Sequence, residues 1–268
     1  MKIGQRSFDD DHTYVMGILN MTPDSFSDGG RYNELDIALK RVGRMLDEGA
    51  DIIDIGGEST RPGAEVVPAD VEISRVVPVI EAIRKNFDVP ISLDTYKGEV
   101  ALEGIKAGAD MINDVCGLEY DDKMADVVAG ADVAYCLCYQ REKVYKDILS
   151  EMVRDIEESL EKAMSKGISA ERICIDPGIG FNKTYEENLL ILKRIDVLHT
   201  FGVPVLLGTS RKSFIGKALD VPVNERMAGT LATTVSAVLN GVRFVRVHDI
   251  KENVQAIKLI EEIRNVKG

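Results

Sequence analysis

The chain is short of the residues that mark a metal, redox or exported protein. Its three histidines are too few for a His-rich metal site. Its four cysteines, Cys116, Cys136, Cys138 and Cys174, lie in or near apolar runs and have no disulfide-framework spacing. Cys136 and Cys138 are two apart, so on a strand they share a face. They are read as small buried hydrophobes rather than as a metal or redox pair. No apolar run reaches the about 18 residues of a membrane span. The N-terminus, with Asp9-Asp10-Asp11, lacks the basic-then-apolar layout of a signal peptide. No membrane partner is expected, and a reducing cytoplasm is the expected location. The formal net charge of -12 argues against a nucleic-acid partner. It leaves room for an anionic small ligand at a local cationic site.

What is present is a repeated unit. In 268 residues, 45% of them hydrophobic, an apolar run ending in a polar or otherwise distinctive segment recurs eight times, each followed by a helical pattern. The endings are Asn20, Asp54, Asp94, Asn113-Asp114, Cys136-Leu137-Cys138, Asp176, Gly208-Thr209-Ser210 and Arg246/His248. The runs, Tyr14–Leu19, Asp51–Ile55, Pro90–Asp94, Asp110–Asp114, Asp132–Leu137, Arg172–Asp176, Val203–Gly208 and Arg243–Val247, read as short buried strands. Between them lie 3.6-spaced helices, the longest over about Lys146 to Lys166. Three helix-to-strand turns carry Gly49, Gly108 and Gly130 where a left-handed C-cap fits. This alternation predicts an α/β protein, a (β/α)8 TIM barrel forming a single domain over residues 1–268. The alternative, a doubly wound open sheet, would usually show a Gly-rich fingerprint after its first strand, and none is present. The active site is expected at the C-terminal ends of the strands. Two βα loops there are long, Met21 to about Asn33 and Gly56 to about Pro68. They are expected to be mobile and to close over substrate.

The strand ends suggest a ligand. Asn20 offers an oxygen to a hard cation or an amide to phosphate, unless it only forms the turn before Thr22-Pro23. Asp94, Asn113 and Asp176 can hold a planar heterocycle by its N–H and C=O edges. Each Asp could instead cap a helix, yet three such residues at three strand ends favour a polar ligand. Lys212 lies in a hydroxyl-rich basic segment that could open a helix and bind an anion. Arg246 and His248, two apart, form a cationic fork suited to diphosphate. The plainer alternative is Arg246 paired with Asp249 and a satisfied core His248. These residues imply a polar planar group deep in the barrel and an anion at the rim.

Several long segments carry a resemblance. They are Gly17 to Gly30 (GILNMTPDSFSDGG), Asp54 to Gly63 (DIGGESTRPG), Ser92 to Tyr96, Ile112 to Asp114, Asp176 to Phe181 (DPGIGF), Ser210 to Ser213 and Arg246 to Asp249. Over nearly its whole length the chain resembles the dihydropteroate synthases, transferases of folate biosynthesis and targets of sulfonamides. The resemblance implies condensation of 6-hydroxymethyl-7,8-dihydropterin diphosphate with 4-aminobenzoate, releasing pyrophosphate. It implies that Asp94, Asn113, Asp176 and Lys212 hold the pterin. Asn20 would place Mg2+, and Arg61, Arg246 and His248 would hold the diphosphate. Phe26, Thr60, Pro62, Lys212 and Ser213 would frame the 4-aminobenzoate pocket, and Asp28 would order the closed state. A homodimer is also implied.

One segment departs from the family pattern. After the fifth strand, where most members carry Met-His followed by Gly and Pro, this chain has Tyr135-Cys-Leu-Cys-Tyr-Gln-Arg141. Cys136 or Cys138 then stands in for a Met that packs on the pterin, with less contact. Two other readings compete. A pterin-binding methyltransferase would share the Asp and Asn residues but would not need Lys212, Arg246 and His248 for diphosphate. A non-catalytic pterin-binding paralogue would not need intact lid loops. Replacing Arg246 by Ala, or Asp176 by Asn, is expected to abolish most condensation and leave the fold intact.

Overall fold

The computed structural model describes residues 1–22, 31–59, 64–140 and 146–266. A two-stranded antiparallel hairpin, β1 (Lys2–Ile3) and β2 (Arg6–Ser7), opens the chain; the sequence pattern gave no sign of it, the strands being only two residues each. Eight parallel strands follow: β3 (Tyr14–Asn20), β4 (Ile52–Gly56), β5 (Ile91–Asp94), β6 (Met111–Asp114), β7 (Ala134–Cys138), β8 (Ile173–Asp176), β9 (Leu206–Leu207) and β10 (Phe244–Val247). Their order is β8-β7-β6-β5-β4-β3-β10-β9. A parallel bridge from Ile175 to Val205 joins the two ends of this order. The result is the expected (β/α)8 barrel, each of the eight strands matching an expected run, with β3, β4 and β7 ending one residue later than expected.

The helices are α1 (Arg31–Asp47), α2 (Ala69–Asn86), α3 (Gly98–Ala107), α4 (Lys123–Ala129), α5 (Ile148–Ser165), α6 (Tyr185–Lys193), α7 (Ser213–Leu219), α8 (Met227–Leu239) and α9 (Ile250–Asn265). Alternation is not strict, because α7 and α8 both lie between β9 and β10. Among the described residues, no helix is long and apolar enough to cross a membrane.

The period of two along each strand sorts the side chains. Val15, Leu19, Ile53, Ile55, Leu93, Ile112, Tyr135, Ile175 and Val245 belong to the large core between strands and helices. Their sequence neighbours Met16, Ile52, Met111, Ala134, Cys136, Cys174, Leu206 and Phe244 form a separate buried cluster filling the barrel. Continuing that inner parity toward the C-terminal ends gives Asn20, Asp54, Asp94, Asn113, Cys138, Asp176, Gly208, Arg246 and His248. The inner face therefore changes from apolar to polar along its axis.

Gly49 and Gly108 have the expected left-handed conformation, with φ of +99° and +114°. Gly130 does not: its φ is -74°. The Arg172 guanidinium donates to the carbonyls of Val128 and Ala131 at 2.8 and 2.6 Å, and to that of Val133 at 2.8 Å. It therefore satisfies helix-end acceptors that a left-handed turn would otherwise have served.

Gly178, in the turn after β8, has φ +66°, and a Cβ there would lie 1.9 Å from the Tyr139 carbonyl oxygen. Gly178→Ala is expected to cost roughly 2–4 kcal/mol, from left-handed strain and forced separation of two backbone segments. Urea unfolding measures this directly; a loss below about 1 kcal/mol would show that the two segments separate freely.

Candidate active site

The polar end of the barrel is organised by one arginine. Arg246 of β10 donates from Nε to Asp54 Oδ2 of β4 and from Nη2 to Asp94 Oδ2 of β5, each at 2.6 Å. Asp54 is fully buried and takes a further bond from Ser92 Oγ at 2.6 Å. Asp94 Oδ1 is buried and accepts nothing among the described residues. An unfilled carboxylate oxygen in a dry site calls for a donor from a ligand. Burial raises the Asp94 carboxyl to about 7; Arg246 opposes this and Asp54 adds to it. For Arg246, burial acts to lower the pKa, but the two carboxylates outweigh it and the net direction is up.

Asp176 at the end of β8 does two things. Its Oδ1 accepts the Gly178 N–H at 2.7 Å, the turn role expected of an Asp before Pro-Gly. Its Oδ2 faces the space beside Gly208, where a Cβ would lie 3.6 Å from it and 3.8 Å from Lys212 Nζ. Burial raises the Asp176 pKa against Lys212, and burial lowers that of Lys212 against Asp176. Lys212 directly precedes α7, lies over the Phe181 ring at 4.5 Å and donates to the Ile179 carbonyl. Asn113 is buried on the inner face of β6.

Asn20 ends β3, and its Oδ1 and Asp94 Oδ2 both lie 3.8 Å from where a Cβ of Gly56 would be. Two oxygens from different strands thus converge over a bare glycine. Ser213 begins α7 and is exposed.

Arg246 and His248 share a strand end but not a charge. The His248 Nδ1 lies 3.0 Å from Ser210 Oγ, which also accepts the His248 N–H at 3.2 Å. Burial, then Arg246 and Arg211, lower the imidazole to about 4, so it is neutral at pH 7 without an anion. Asp249 pairs with Arg211 rather than with Arg246. Phe26, Asp28, Thr60, Arg61 and Pro62 lie outside the described residues.

Asp54 was legible as a strand ending, but nothing near it in sequence reveals its partner 192 residues away. Asp114 is the converse. It has the outer parity and binds the Cys116 and Leu118 N–H groups and the Tyr135 hydroxyl, so it is structural. Among the described residues there is no group of three or more His, Cys, Asp or Glu able to hold a metal.

A buried set of acceptors at the strand ends, with cations from β10 and the β9–α7 connection, defines a pterin-binding barrel. The sequence profile described as "Pterin binding enzyme" matches residues 16–248, and the chain belongs to that family. It is 51% identical to the dihydropteroate synthase of Clostridium beijerinckii, over 98% of this chain and 99% of that one. The crystal structure of a Clostridium difficile dihydropteroate synthase in the presence of pteroic acid superposes with a TM-score of 0.94. It is 47% identical and covers 98% of this chain and 100% of that one. A Yersinia pestis dihydropteroate synthase with a sulfonamide drug complex gives a TM-score of 0.93 at 40% identity, covering 99% of both.

The sequence-based expectation that Arg246→Ala leaves the fold intact is revised by the geometry. Removing the guanidinium leaves two buried carboxylates facing each other, at a cost of about 3–5 kcal/mol. Asp94, already raised by burial, would then lose the cation that opposes that rise, and a carboxyl raised in the folded state favours folding as it takes up its proton. The deficit of Arg246→Ala in urea unfolding is therefore expected to be larger at pH 7 than at pH 5. A deficit independent of pH would mean that the two carboxylates do not depend on Arg246.

Proposed function

We propose that this chain, acting as one domain over residues 1–268, is a dihydropteroate synthase. It condenses 6-hydroxymethyl-7,8-dihydropterin diphosphate with 4-aminobenzoate to give 7,8-dihydropteroate and pyrophosphate. The observation that carries this reading is the unpartnered Asp94 Oδ1, with Asn113 in register on the next strand and Asp176 and Lys212 meeting beside Gly208. The amino-pyrimidinone edge of a pterin presents N–H donors and a carbonyl acceptor together, matching two carboxylates, an amide and an ammonium. Asp94, Asn113, Asp176 and Lys212 bind the pterin. Arg246 and His248, with Arg61, hold the diphosphate, while Phe26, Thr60, Pro62, Lys212 and Ser213 frame 4-aminobenzoate. Asp28 orders the closed site.

The C–O bond to diphosphate breaks with both electrons on the leaving oxygen. The electron-rich pterin stabilises the cation left on its exocyclic methylene. The aniline nitrogen attacks that carbon and then loses a proton, so no strong general base is needed. The protein contributes preorganisation and exclusion of the water that would otherwise trap the cation. Asn20 Oδ1, a neutral oxygen at the end of β3, suits Mg2+, which keeps few protein ligands and takes the rest from phosphate and water. Bound there by Asn20, Mg2+ would neutralise charge on the diphosphate.

A second copy of the chain completes the proposal. Leu239 of α8 and Leu259 and Ile263 of α9 are each 61–62% exposed, apolar surface that a homodimer would cover. A cytoplasmic setting suits the four free thiols. No nucleic-acid or membrane partner is proposed.

Pyrophosphate release that requires both substrates and Mg2+ tests the activity. Methyl transfer from methyltetrahydrofolate without pyrophosphate release would replace it with the methyltransferase reading, and pterin binding with no turnover with the non-catalytic one. Sulfonamides are expected to raise the apparent KM for 4-aminobenzoate at constant kcat; purely non-competitive inhibition would remove the shared pocket. With Asp94 near 7, protons compete with pterin N–H donors, so affinity falls as pH falls. Calorimetry with pteroic acid is expected to show roughly tenfold weaker binding at pH 6 than at pH 7.5. Asp94→Asn should flatten this slope, and a flat native profile would remove Asp94 as the titrating acceptor.

A further inference from the structure

A second charged cluster is buried beside the site, between the chain leaving β4 and the chain leaving β5. Lys97, directly before α3, is only 7% exposed. Its Nζ donates to Glu72 Oε2 of α2 at 2.5 Å and to Glu58 Oε2. Glu58 Oε1 takes the Tyr96 hydroxyl at 2.5 Å, and Glu58 Oε2 takes the Val67 backbone N–H at 3.2 Å. Arg75 Nη1 holds the neighbouring Gly57 carbonyl at 2.7 Å. Tyr120 packs edge-on against Tyr96 at 4.4 Å.

Stability alone is a poor reason for such a cluster. Two carboxylates and one ammonium lose their hydration here, and well-packed apolar residues often do as well or better. What the cluster does achieve is positional. Glu58 and Val67 are nine residues apart, at the two described ends of the β4–α2 connection, and one carboxylate holds both. Lys97 and Tyr96, fixed by the end of β5, hold that carboxylate in turn. Asp94 is three residues from Lys97 on the same strand end, so the anchor and the pterin floor share one support.

We propose that Lys97 is a positioning residue that, by clamping Glu58 against Val67, sets both ends of the β4–α2 connection for 4-aminobenzoate binding. Naming that subsite rests on the synthase reading above. The charge state is suited to the task. Burial acts to lower the Lys97 pKa, but its bonds to Glu58 and Glu72 outweigh this and the ammonium is retained. Burial raises Glu72 against Lys97.

The test compares Lys97→Met, Tyr96→Phe and the double variant Lys97→Met with Glu58→Gln, which removes an unpaired charge should the single variant fold poorly. Steady-state kinetics and hydrogen exchange at the Val67 amide are measured on each folded variant. The KM for 4-aminobenzoate is expected to rise about tenfold in both Lys97 variants and about threefold in Tyr96→Phe. The KM for the pterin diphosphate should stay within about twofold, and Val67 exchange should accelerate. An unchanged KM for 4-aminobenzoate, or equal rises for both substrates with a lower Tm, overturns the proposal. Should the native chain release no pyrophosphate, the synthase reading fails by itself. Val67 exchange then decides the clamp, and unchanged exchange overturns it.

Discussion

The barrel mouth depends on Arg246 standing between Asp54 and Asp94. The parity of β4, β5 and β10 places all three side chains on the inner face, above an apolar layer that admits no water to share the charge. Two carboxylates so placed repel each other unless a cation with two separate donor edges lies between them. A guanidinium does this with Nε and Nη2; a lysine ammonium, a single point on a flexible stem, would not fix both. Because Arg246 takes only one oxygen of Asp94, the other stays open, and it is the oxygen the proposed function gives to substrate. The same contact thus stabilises the buried acids and leaves the oxygen on which the proposed recognition rests.

Charge then sorts the two halves of the substrate. With all groups ionised, Asp54, Asp94 and Asp176 exceed Arg246 and Lys212 by one negative charge. Such a floor attracts N–H donors, so the diphosphate proposed for Arg246 and His248 belongs on their rim side. His248 is neutral, held by Ser210, so it adds no second buried cation beside Arg246. In the proposed site Lys212 serves both regions. Its stem passes Gly180, where a Cβ would lie 3.0 Å away, and its ammonium reaches the space beside Gly208. Gly180, with φ +85°, is required by its backbone conformation and by this close approach, whereas a Cβ at Gly208 would meet only ordinary contacts.

Much of this was legible because a β-strand has a fixed period. Strand ends, the barrel and the inner residues Asp94, Asn113, Asp176, Arg246 and His248 follow from local pattern alone. What local pattern could not give was pairing across the barrel. Asp54 was visible only as an ending, and the Glu58–Lys97–Glu72 cluster was silent, because its partners lie on separate elements. Neighbouring polar residues also needed parity to separate them: Asn113 faces the site and Asp114 staples the Cys116–Leu118 turn to Tyr135. Gly130 shows another limit, since a distant arginine changed what its helix end required. Residues such as Phe26, Asp28 and Arg61 remain as the family resemblance implies them.

The fifth strand end, unlike the others in sequence, now has a physical reading. Cys136 and Cys138 lie on the inner face, paired in register with Asn113 and Asp176 respectively. Burial, with Asp176 beside it, pushes the Cys138 thiol well above its ordinary range. Cys136, hydrogen-bonded to Cys174 and buried, moves the same way. Both stay protonated at any pH where the carboxylates work. A charged group here would either repel Asp176 or compete with Lys212 for it, so the fifth end contributes volume and no charge. A thiol fills less of that space than a thioether chain would, so in the proposed site packing against the pterin face is the quantity this segment would alter. The polar recognition proposed for Asp94, Asp176 and Lys212 does not depend on it.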